Sequence, residues 1–114
     1  MARSHLTTPQ RDRAAGVLVA LACGDALGVP YEFGSPLTDV RPAMIGGGLG
    51  PYAPGEWSDD TQMAICVAHV SAEADELDDA ALTRIGHAFS DWLRTGATDA
   101  GNQTRAVLGT VETG

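Results

Sequence analysis

Between Asp12 and Leu27 the apolar or small residues Ala14, Ala15, Val17, Leu18, Ala20, Leu21 and Ala22 leave almost no polar face. That is the pattern of a helix buried on most sides. Gly16 and Gly24 lower its intrinsic propensity, but their missing side chains predict close approach by another backbone. From Val29 to Trp57 the chain holds five of its six prolines and six glycines, which exclude a long regular element and predict a loop. Ser58 then opens a second helix, with Asp59 and Asp60 in its first turn and Met63, Cys66, Val67 and Val70 along one face. Asp78 or Asp79 caps a third, in which Leu82, Ile85, Phe89, Trp92 and Leu93 repeat at helical spacing until Gly96 ends it. Asn102 or Thr104 starts a fourth. No stretch alternates as a strand does, so the predicted class is all-α.

A chain of 114 residues has the length of one domain, and we expect a single domain over 1–114. The apolar faces exceed what four helices can cover, so exposed apolar surface or self-association is expected. No apolar run reaches the roughly 20 residues of a membrane span without polar interruption, and the start does not resemble a signal peptide. The expected compartment is the cytoplasm, with no membrane partner. Fifteen acidic residues face seven arginines and no lysine, and a net charge of −8 argues against a nucleic-acid partner. Cys23 and Cys66 lie in apolar helical stretches, as buried free thiols would, and the histidines lack metal-ligand spacing.

Candidate chemistry lies at the helix ends. Ser58, Asp59 and Asp60 are good capping residues, and equally a cluster of hard oxygen donors for magnesium or manganese; the two roles are compatible. Asp25 sits near a helix C-terminus, where it opposes the helix dipole, and a hydrogen bond to a nearby loop amide would account for it. Glu32 reads by itself as a solvated loop residue. The run Gly46-Gly47-Gly48-Leu49-Gly50 lacks the lysine of a phosphate loop and reads as a flexible loop. Asp99-Ala100-Gly101-Asn102-Gln103-Thr104 offers small residues and amides before a helix start, suited either to a cap or to a phosphate or ribose.

Taken in order, GDALGVPYEF, the glycine-rich loop, WSDDTQM and DAGNQTRAVL resemble the ADP-ribosylglycohydrolase family, which includes the dinitrogenase reductase-activating glycohydrolases. The resemblance covers most of the chain. It implies the N-terminal portion of a compact multi-helical fold with two magnesium or manganese ions below an ADP-ribose cleft. By similarity, Ser58, Asp59 and Asp60 match a metal-ligand motif that is commonly Thr-Asp-Asp. Glu32 and Asp60 are the implied catalytic carboxylates, and Asp99, Gly101, Asn102 and Thr104 the implied substrate contacts. The implied reaction is hydrolysis at the anomeric carbon of ribose in an ADP-ribosylated protein or small conjugate, with Glu32 or a metal-bound aspartate as general base. The family's second acidic motif, Asp-x-Asp-Thr, does not follow Asp99, so half of a binuclear site and an inactive fragment are expected. The alternatives are a non-catalytic ADP-ribose- or metal-binding relative and a structural helical subunit.

Overall fold

A computed structural model describes residues 5–111. These form α1 (Thr8–Gly28), a 3-10 turn (Val29–Tyr31), α2 (Asp59–Glu73), α3 (Asp79–Thr95) and α4 (Asn102–Leu108), with no strand among the described residues. The all-α expectation holds. The chain falls into two compact units whose boundary lies between Thr61 and Gln62, within α2.

The unit that begins at Gln62 has an apolar core in two clusters. Val70, Ala81 and Ile85 form one, joined by Val67, Ala74 and Phe89. Trp92, Ala100 and Leu108 form the other, with Met63, Cys66, Leu93 and Ala97 against it. Burial of Ile85 or Trp92 contributes on the order of 1.5–3 kcal/mol each. The α2 face follows the predicted spacing. The α3 stripe follows the prediction at Ile85, Phe89, Trp92 and Leu93, which are buried or packed against the clusters, and departs from it at its first position, where Ala81 is buried and Leu82 exposed. Asp78 is the N-cap and accepts from the Ala81 amide at 2.9 Å, Gly96 is the C-cap, and Trp92 Nε1 donates to Gln62 Oε1 at 2.7 Å. The indole thus has its polar partner where its ring is buried.

The other unit, Thr7–Thr61, is held differently. Its buried residues are Ala26, Val29, Tyr52, Ser58 and Thr61, and they form no large apolar cluster. The helix begins earlier than the apolar pattern indicates, because Thr7 and Gln10 form a reciprocal capping box, with Thr7 N donating to Gln10 Oε1 at 2.8 Å and Gln10 N to Thr7 Oγ1 at 3.4 Å. Three expectations for this helix are corrected. Ala26 alone is buried along α1, Cys23 is exposed, and a side chain built at Gly16 or Gly24 would meet nothing within 4 Å. An all-round apolar pattern records a helix suited to burial; what covers it is decided by the rest of the fold. Thr8–Tyr31 is also long and apolar enough to cross a membrane by length and composition. That corrects the expectation that no apolar run reaches the length of a membrane span, although Asp25 inside it has its hydrogen-bond partners within the protein.

Val17 and Val19, each more than 60% exposed, give α1 an open apolar surface. The chain should therefore associate with itself in sedimentation velocity, increasingly with concentration. The Val17→Glu/Val19→Glu double variant should shift it towards monomer, and a monomer at every concentration in the unaltered chain would contradict this account.

Candidate functional site

The last turn of α1 places Asp25 where the backbone is already fixed, the Val29 amide donating to the Asp25 carbonyl. The carboxylate extends to the start of α2. Asp25 Oδ1 accepts from Ser58 Oγ at 2.5 Å, and Oδ2 accepts from Ser58 N at 2.8 Å, Thr61 N at 3.1 Å and Thr61 Oγ1 at 2.7 Å. Ser58 was expected to cap α2 with its own side chain. Instead Asp25 takes that role, satisfying amides that the first helical turn leaves open. An acid at the unfavourable end of α1 is thereby at the favourable end of α2. The Ser58 hydroxyl also lies 3.2 Å from Asp59 Oδ1.

The 3-10 turn follows α1 directly and ends at Glu32, whose backbone is extended (φ −62°, ψ 130°). Its position is set by Tyr31, whose hydroxyl accepts from Ala43 N at 3.1 Å and donates to Ala43 O at 3.3 Å. The glycine loop also supports it, contrary to the expectation of a merely flexible segment. Gly46 and Gly48 have positive φ (70° and 83°), and a side-chain carbon at Gly48 would fall 2.3 Å from the Val29 carbonyl oxygen. Only glycine fits there. The next residue, Phe33, is a non-glycine with positive φ (57°).

Asp25, Tyr31, Glu32, Ser58 and Asp60 line one cleft of about 650 Å³, with Gly24 and Gly28 on its α1 wall. The sequence-derived Glu32, Ser58 and Asp60 are thus brought to the same cleft, while half-buried Asp59 is held beside Ser58. Among the described residues, no three His, Cys, Asp or Glu side chains gather closely enough to hold a metal ion by themselves. Asp99, Gly101, Asn102 and Thr104 belong to the other unit, where Asp99 Oδ1 accepts from Ala100 N at 2.9 Å and Gly101 precedes α4 without a side-chain cap.

The two buried-edge carboxyls are tuned in opposite directions. Burial raises the proton affinity of Asp25, but hydrogen bonds from the hydroxyls and then the amides of Ser58 and Thr61 outweigh it and hold the carboxyl below its usual range. Partial burial, then the charges of Asp59 and Asp25, push Asp60 up. Negative charge is therefore concentrated at the cleft end of α2.

The family model for ADP-ribosylglycohydrolase matches residues 6–114. The chain belongs to the ADP-ribosylglycohydrolase family. It is 40% identical to an ADP-ribosylarginine hydrolase of Serratia proteamaculans over 85% of this chain and 28% of that protein. It is 37% identical to an ADP-ribosylarginine hydrolase of Pseudomonas putida over 93% of this chain and 30% of the relative. With the ADP-ribosyl-(dinitrogen reductase) glycohydrolase of Rhodospirillum rubrum the identity is 34%, over 82% and 33%. The chain thus spans about a third of the length of these relatives.

Sequence reasoning gave Asp25 a hydrogen bond to a nearby loop amide, which the Ser58 amide bears out, but assigned neither Asp25 nor Thr61 to the site. The available signal was the acid on the wrong end of the α1 dipole, which calls for a compensating partner.

Two predictions test this local architecture. Gly48→Ala should lower stability by about 1–3 kcal/mol in urea unfolding through strain and the clash with Val29, whereas Gly47→Ala, with open space around it, should show only the roughly 1 kcal/mol cost of left-handed backbone. The carboxyls should give opposite pH signatures in chelator-treated protein. Asp25, more acidic folded than unfolded, contributes stability that is complete above about pH 4 and lost as pH falls through its lower folded value. Asp60, less acidic folded, contributes stability that is present below about pH 4 and lost as pH rises through its higher folded value. Asp25→Asn should therefore destabilise most at neutral pH, and Asp60→Asn should stabilise there, both differences shrinking in acid; differences that grow in acid would contradict the assignment.

Proposed function

We propose that this chain supplies the Glu32 and Ser58–Asp60 side of a hydrolase site that cleaves ADP-ribose from an arginine side chain of a modified protein. The convergence of Glu32, Ser58 and Asp60 on one cleft, in a chain of this family, carries the reading. The names of two relatives favour arginine as the target.

Ser58, Asp59 and Asp60 offer only oxygen donors, and the cleft end of α2 already concentrates negative charge, as the raised proton affinity of Asp60 indicates. They fit part of a magnesium or manganese shell, and would hold one face of such an ion. The bound ions would polarise ribose hydroxyls and water. Within the chain, the carboxylates of Glu32 and Asp60 are the groups available to accept a proton from water as it attacks the anomeric carbon. The bond from that carbon to the arginine nitrogen breaks as positive charge builds on the ribose, and the departing nitrogen takes up the proton that the carboxylate removed from water. Carboxylates along the cleft stabilise the developing charge. The two free thiols, Cys23 and Cys66, accord with a reducing compartment such as the cytoplasm.

In a chain of the relatives' full length carrying these residues, Glu32→Gln and Asp60→Asn should each lower kcat for ADP-ribose release by about 100-fold or more, with helix content unchanged by circular dichroism. Wild-type rates in both variants would refute the reading. Because the described residues hold no three-carboxylate cluster, the 114-residue chain by itself should bind Mn²⁺ weakly and turn over little.

A further inference from the structure

Ser58 has the chemistry to cap α2 unaided. In the ordinary arrangement its oxygen would accept from the Thr61 amide, with its lone pairs turned into the helix end. The observed arrangement is reversed. The Thr61 amide and hydroxyl go to Asp25 Oδ2, while the Ser58 hydroxyl donates outward to Asp25 Oδ1. The proton of Ser58 Oγ is thereby committed to carboxylates, with Asp25 Oδ1 at 2.5 Å the nearer acceptor and Asp59 Oδ1 at 3.2 Å the farther, and its lone pairs are released from capping. Ser58 is 4% exposed and Thr61 3%, so both hydroxyls are held in a packed setting rather than sampling solvent. The four hydrogen bonds come from two residues that bracket Asp59 and Asp60, which fixes the backbone of the intervening pair from both sides.

We propose that Asp25 is the positioning residue of this site: from the last turn of α1 it relieves Ser58 of capping α2 and so presents the Ser58 and Asp60 oxygens to the cleft. The inference rests on the hydrolase reading for its purpose, but its geometry can be tested without catalysis. A residue that orients metal-binding side chains through hydrogen bonds commonly governs affinity without touching the ion. A helix cap of purely structural value would govern stability alone.

Mn²⁺ titration followed by electron paramagnetic resonance, together with NMR couplings that report the Ser58 rotamer, separates the two. Asp25→Asn should weaken Mn²⁺ binding by about 10- to 100-fold at temperatures where helix content is retained. It should also turn the Ser58 side chain towards the Thr61 amide. Thr61→Val, which preserves shape and removes one donor to Asp25, should weaken binding in the same direction by a smaller factor and covers the case in which Asp25→Asn does not fold. Unchanged Mn²⁺ affinity with a lowered melting temperature would make Asp25 a structural cap and overturn the proposal. If the unaltered chain binds no Mn²⁺, the metal reading fails on its own account, and the Ser58 rotamer then decides: a change in either variant upholds positioning by Asp25, and no change overturns it.

Discussion

A single carboxylate, Asp25, accepts hydrogen bonds from both the amides and the hydroxyls of Ser58 and Thr61, joining the end of one helix to the start of the next across a separation of more than thirty residues. Such a bond set is demanding, because an acid drawn out of water must recover its solvation from fixed donors. Here the donors outweigh the cost, as the lowered proton affinity of Asp25 records. Fixing this junction fixes the geometry of Asp59 and Asp60. It also fixes one edge of the cleft to which Glu32 is brought from the end of the 3-10 turn.

The two units show contrasting means of stabilisation. Residues from Gln62 onward bury Ile85, Val70, Trp92 and Leu108 in clusters of the kind that hydrophobic transfer makes robust. Thr7–Thr61 has no comparable cluster, and relies on the Asp25 bonds, the Tyr31–Ala43 pair and glycines that admit close backbone approach. Polar junctions of this type have low redundancy. They suit a site whose side chains need definite orientation, and they leave the apolar surface of α1 open.

The oppositely tuned Asp25 and Asp60 follow from this layout. Both are partly withdrawn from water, but Asp25 is surrounded by donors whereas Asp60 has the charges of Asp59 and Asp25 beside it. Of the carboxylates that line the cleft, Asp60 is therefore the one whose charge its surroundings oppose, and a cation or a developing positive charge on ribose would offset that.

The sequence by itself determined the helical class, the starts of α2 and α4, the extent of α3 from a cap at Asp78 or Asp79 to Gly96, and the WSDDTQM motif, because these depend on periodicity, on residue identity and on bonds between residues three or four apart. The capping box at Thr7 was equally legible, although the apolar pattern drew the predicted start to Asp12. Tertiary structure decided what a local pattern does not encode. It buried Ala81 rather than Leu82 at the start of the α3 stripe, left α1 and Cys23 exposed, and used Gly48 for contact with Val29 rather than flexibility. Above all, it paired Asp25 with Ser58 and Thr61. An acid at a helix C-terminus signals in sequence that a partner is required, but only the path of the intervening loop determines which amides and hydroxyls arrive within hydrogen-bond reach.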